Sequence, residues 1–213
     1  MDIPYYLELQ KRVFDTLRYV SCHEGNFDTY SIVFESLLID TCSFFDSICQ
    51  TLIRERSLTE KPEAHARDLD KKTKGSESLN FGDYRILLEN KFLLSRREVN
   101  LNPYEGAEYP NPLSHGPDAI CGHIIVPFKE WADCAPSPWW RAFTDLKHDR
   151  ISNFRKATLR NVVYSMASGF IILTVRNEDQ FKAGSVTPEI YDLFFPKYWH
   201  FKGRVAVMNF LWS

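Results

Sequence analysis

The segment "NVVYSMASGFIILTV" (161–175) limits what the chain can fold into more than any other stretch. It carries no formal charge, and so apolar a run is unfavourable against water. It also falls short of the roughly 20 apolar residues that span a bilayer, so it predicts a helix buried in a protein core and no membrane crossing. Such a helix needs other helices packed about it. With 213 residues, 44% apolar and 15% aromatic, the chain is long enough to supply them in one domain and too apolar for disorder.

The partners lie upstream. Residues 3–20 place Ile3, Tyr6, Leu7, Leu9, Val13, Phe14, Leu17 and Val20 at near-helical spacing, with a stop at "SCHEGN". Residues 26–55 predict a second, long helix with Asp28 as its N-cap and an apolar stripe through Ile32, Leu38, Phe45, Ile48 and Leu52. Residues 80–99 resume the helical period, with Tyr84, Leu87, Leu88, Phe92 and Leu93 as an inner face. Between them, residues 56–78 are polar and read as a connection.

From 100 to 138 the pattern breaks. Seven prolines interrupt two short stretches, "REVNLNPY" and "HIIVPFKEW", that can pair as strands within an irregular insertion. Prolines 136 and 138 then open a further helix, which leads into the apolar one after a kink near Ser152. Beyond Thr187 the aromatic C-terminal stretch is expected to pack back on the bundle. The fold class expected is therefore mainly α, a single helical domain over 1–213 with an irregular, partly β insertion.

Chemistry concentrates in "PWWRAFTDLKHDRISNF" (138–154). Arg141 and His148 are seven residues apart, so a continuous helix sets them on one face, about 10 Å from each other. A histidine that titrates near neutrality can take a proton from a ribose 2′-hydroxyl, and a guanidinium can stabilise the charge growing on phosphorus. Lys147, Arg150 and Arg155 nearby are candidate phosphate contacts. Arg18 and His23, five residues apart, also fit an Arg-x(4–6)-His pattern, and on spacing alone a charged helix face beside a core is the simpler explanation.

A long helix with internal acids (Glu35, Asp40, Asp46), a polar break and a later Arg-x6-His just before an apolar helix together resemble the HEPN superfamily of helical bundles. The stretches "YSIVFESLLIDTCSFFDSI" and "WWRAFTDLKHDRISNFRKAT" look like an uncharacterised bacterial branch of it. The resemblance covers about two-thirds of the chain. It implies a metal-independent endoribonuclease that cleaves single-stranded RNA, serves as a toxin or defence effector with a cognate neutralising protein, and forms its site across a homodimer. Arg141 and His148 match the motif, Ala142 stands where a polar residue often follows the arginine, and Asp46 is the acid that would orient His148. The alternative implied is a non-catalytic interaction module on the same fold.

Other signals are weaker. His115, Cys121, His123 and Cys134 are zinc-ligand types, but their spacing matches no familiar site, and no metal or cofactor is expected. Trp139 and Trp140 can stack on bases or form a core lid, and with Phe143 and Phe154 they suggest a homodimer seam near 139–155, or packing against the C-terminal aromatics instead. Five cysteines without a CxxC pair, and a start lacking a signal-peptide pattern, read as a reduced, cytoplasmic protein. The net charge of −2 gives no global pull on polyanions, so RNA contact must be local.

Overall fold

The computed structural model describes residues 2–56, 58, 79–101 and 123–196. Helix α1 is Asp2–Leu17 and α2 is Ile32–Glu55. Helix α3 is Phe81–Phe92, α4 Pro138–His148, and α5 the single turn Arg150–Asn153. Helix α6 is Leu159–Arg176 and α7 Glu178–Lys182. Short strands β1 (Val99–Leu101), β2 (His123–Ile125) and β3 (Phe194–Pro196) complete the mainly helical architecture.

The apolar segment is the centre, as its composition demands. Helix α6 is buried from Val162 through Val175 except at Tyr164, and its most extensive partner is α2. The two helices meet closely where Gly169 faces Phe44: a Cβ there would lie 3.1 Å from Phe44 Cδ1, so any larger residue must displace the ring. Further along the seam Thr41 and Ser165 share a hydrogen bond of 2.6 Å, which satisfies two hydroxyls that burial would otherwise penalise. Buried side chains from every part of the described chain join one core.

Helix boundaries follow local chemistry. Ser31 caps α2 by accepting from the Phe34 amide at 3.1 Å, so the helix begins after the expected cap Asp28, which instead meets Arg160 at 3.4 Å. Asn80 and Asp83 form a reciprocal capping box on α3. That helix stops at Leu93, whose φ of 52° is left-handed, earlier than periodicity predicted; Leu93 is exposed and Phe92 only half-buried. Thr158 caps α6 by accepting from the Asn161 amide.

The expected strand pair forms, with Val99 opposite Ile125 in antiparallel register. A third strand, β3, pairs on the other side of β1, so the order is β2-β1-β3. The stretch leading to it packs back on the bundle: Tyr191 and Phe194 both meet the Phe170 ring, and Gln10 donates to the Glu189 carbonyl at 2.7 Å. Most of the polar connection at 56–78 lies outside the described residues, as do residues 102–122 of the insertion. Among the described residues, no helix is long and apolar enough to cross a membrane.

Candidate functional site

Helix α4 carries both candidate catalytic residues, and its two faces differ sharply. Pro138 sits at the first helical position, where its fixed φ suits the helix and its missing N–H costs nothing. The inner stripe of Trp139, Ala142, Phe143 and Leu146 is buried. Trp139 donates to the Pro127 carbonyl at 2.8 Å and meets Phe45 edge-on at 5.1 Å, while Trp140 stacks on Phe81 at 4.6 Å. Phe128 and Trp131 close the same cluster. The two tryptophans are therefore a core lid, and they pack against α2, α3 and the end of the insertion. Among the described residues the C-terminal aromatics do not meet them, and residues 197–201 of the expected C-terminal partner lie outside the described residues. Trp139 and Phe143 are covered by the chain itself, while Trp140 and Phe154 are half-buried.

Arg141, Lys147 and His148 occupy the outer face, all exposed. Arg141 and His148 share nearly one line along α4, about 10 Å apart by helical rise. Among the described residues, neither side chain makes a hydrogen bond or ion pair. Asp145 lies between them on that line, and its carboxylate is held by Lys156 at 2.6 Å. Lys147 lies 5.9 Å from the Phe143 ring centre, and Arg155 is exposed. The rival pair does not share a helix face: Arg18 follows the end of α1, and His23 caps a separate turn by accepting from the Gly25 amide at Nδ1.

A compact polar corner fixes the end of α4 at His148. The backbone leaves the helix at Asp149, with φ −146° and ψ 91°, and restarts as α5. The Asp149 carboxylate accepts from the Ser152 amide at 3.1 Å, while Asn153 Nδ2 donates to the carbonyls of Asp145 and Asp149. The hydrogen bonds from Ser152, side chain first and backbone second, hold the Asp149 carboxyl below the usual carboxylate range. The expected kink near Ser152 is thus a full stop and restart, and α6 begins only at Leu159.

Two expected roles change. Arg150 is engaged within the chain: its Nε lies 2.6 Å from Glu35 Oε1, and Glu35 is almost fully buried on α2, while the Arg150 side chain stays 65% exposed. Drawing Arg150 away would leave a buried carboxylate without its counter-charge. Asp46 does not orient His148. Its carboxylate accepts from Tyr84 Oη at 2.6 Å and from Gln50 at 2.9 Å, on the side of α2 that faces α3. Burial, and then the bonded Asp46, push the Tyr84 phenol well above its ordinary range. Phe45 touches the start of α4 while Glu35 meets Arg150 beyond its end, so the helices run antiparallel and Asp46 lies at the far end of their seam from His148. Glu35 is the long-helix acid nearest the corner, and spacing alone did not single it out.

Of the zinc-ligand types, His115 and Cys121 lie outside the described residues, as does the side chain of His123, and Cys134 is exposed. Among the described residues, no group of three or more His, Cys, Asp or Glu is placed to hold a metal. Cys42 and Cys49 are buried free thiols whose pKa burial raises, which leaves them unreactive. No protein-family model, curated protein or solved structure matches the chain.

Proposed function

We propose that the chain is a HEPN-like, metal-independent endoribonuclease of the cytoplasm, a toxin or defence effector held in check by a cognate protein, with the outer face of α4 as its site. The observation that carries this reading is the placement of Arg141 and His148: both exposed, both without a side-chain partner among the described residues, and in line on one helix. Helix-face ion pairs are the usual fate of such residues, and here the intervening Asp145 is engaged by Lys156 instead. In the proposed step His148 removes the 2′-hydroxyl proton, the 2′-oxygen bonds to phosphorus, and the P–O5′ bond breaks, its oxygen taking a proton from solvent. Arg141 stabilises the added negative charge on the phosphoryl oxygens. Lys147 and Arg155 hold flanking phosphates.

An open helix face supplies charge but no wall against water, and a second surface has to complete the groove. A substrate with a single 2′-deoxy residue at the cut site tests the chemistry. It should resist cleavage in EDTA, and the all-ribose substrate should leave 2′,3′-cyclic phosphate ends. Equal cleavage of both substrates would mean a water nucleophile and overturn the proposed step.

One observation favours the alternative, a non-catalytic interaction module. Large apolar side chains stand exposed beside the same corner, Ile151 at 91% and Ile32 at 75%. Surfaces of that kind bind proteins more readily than polynucleotides.

A further inference from the structure

Two ion pairs flank the end of α4, and they differ in how firmly they are made. Arg150 meets the Glu35 carboxylate, whose side chain is only 8% exposed, so burial fixes that pair. Lys156, in the turn Phe154–Lys156 that follows α5, meets Asp145 of α4 with the two side chains 47% and 43% exposed. A pair so open to solvent is worth little, and an incoming anion can take its cation. Lys156 is also next in sequence to the exposed Arg155, so one anion can meet both charges.

Asp145 lies four residues after Arg141 and three before His148, within about one turn of each. Of the two, His148 is the better partner once it is charged. A helix favours an acid that precedes its base over the reverse order, and the C-terminal end of α4, where His148 sits, favours a cation. The other charges about His148 offer it no carboxylate. Arg141, Lys147 and Arg155 are positive, Arg150 is held by Glu35, and the Asp149 carboxylate accepts from the Ser152 amide.

We propose that Lys156 is a phosphate contact and Asp145 a positioning residue, its carboxylate passing from Lys156 to His148 when a backbone phosphate engages Lys156. This hand-over rests on the cleavage reading above. In the free chain Lys156 neutralises Asp145. Once phosphate draws the lysine off, the carboxylate is free to orient the imidazole and to stabilise the imidazolium that forms as His148 takes the 2′-hydroxyl proton.

Proton NMR of the full chain, free of nucleic acid, tests the coupling, the His148 ring signal being the one absent from His148→Ala. Lys156→Met, which imitates a lysine drawn away, should move the midpoint of that signal's titration upward by about 0.3 pH unit, because an unneutralised carboxylate favours the charged imidazole. The same change should move it less than half as far in a chain that also carries Asp145→Asn, and Lys156→Arg should leave it where it stands. On a single-stranded 2′-O-methyl RNA, which lacks the nucleophile, Lys156→Met should lower the salt slope of binding by about 1. Equal shifts with and without Asp145, no shift at all, or an unchanged slope would each overturn the proposal. Absence of binding by the wild type would overturn it together with the cleavage reading. An all-ribose RNA that is bound but left uncut by the wild type would overturn the cleavage reading alone and leave the coupling standing.

Discussion

The two faces of α4 are a few ångströms apart and are built on opposite rules. The inner face spends every large side chain on contacts: Trp139 is 1% exposed, bonded through its indole N–H and ringed by Phe45, Phe81 and Phe128. The side chains of Arg141 and His148 on the outer face have no bonded partner among the described residues. The inner face therefore fixes where the helix lies, and the outer face is free to be selected for something other than folding. A side chain with no bonded partner, held in place by residues that have them, is where function is expected.

The largest expected effect is on the inner face. Trp139→Ala should lower stability by about 3–5 kcal/mol, because it opens a cavity in the aromatic cluster and orphans the Pro127 carbonyl. Urea unfolding checks it, and a loss below about 1 kcal/mol would break the comparison, since surface changes commonly cost that little. Next comes a contrast between two arginines. Arg155→Ala should weaken RNA binding and reduce its salt slope by about 1, while Arg150→Ala should leave the slope unchanged because Glu35 already neutralises it. Filter binding over a salt series measures both, and equal slopes would restore Arg150 as a phosphate contact.

The smallest effect concerns the corner that ends α4. A carboxyl depressed in the folded state contributes stability that is present above its unfolded pKa and is lost as pH falls through its folded one. For Asp149 the loss should set in below about pH 4. Asp149→Ala should melt slightly below wild type at neutral pH, with the gap closing as the solution is acidified toward pH 3. A gap that widens on acidification would show that the carboxylate does not stabilise the corner.

The sequence made the architecture legible wherever one signal dominated. The uncharged run at 161–175 could only be a buried helix, Pro138 opened α4 as its fixed φ allows, and Val99 with Ile125 formed the strand pair that their surroundings suggested. Boundaries were harder where two caps competed. Ser31 took the α2 terminus from Asp28, which had Arg160 to bind, and Asp149 stopped a helix that periodicity carried through. Asp149 ahead of "RIS" was a readable cap-and-restart signal.

The site was legible only in part. Spacing correctly placed Arg141 and His148 on one face, because seven residues make two helical turns whatever surrounds them. It could not rank Glu35, Asp40 and Asp46, since which acid meets which cation depends on the antiparallel packing of α2 and α4. Nor could it foresee that Lys156 would occupy Asp145 and Glu35 would occupy Arg150, thinning the basic patch from within.

The central claim is that the outer face of α4 does chemistry while the inner face holds it in place. The direct measurement is cleavage of a mixed single-stranded RNA in EDTA by the purified chain and by His148→Ala prepared identically, with thermal melts of both. The account predicts slow cleavage by the wild type, loss of it in the variant, and melting curves that overlay, because the His148 side chain is exposed and bonds to no described residue. Equal cleavage by the two proteins, or none by either, would contradict it.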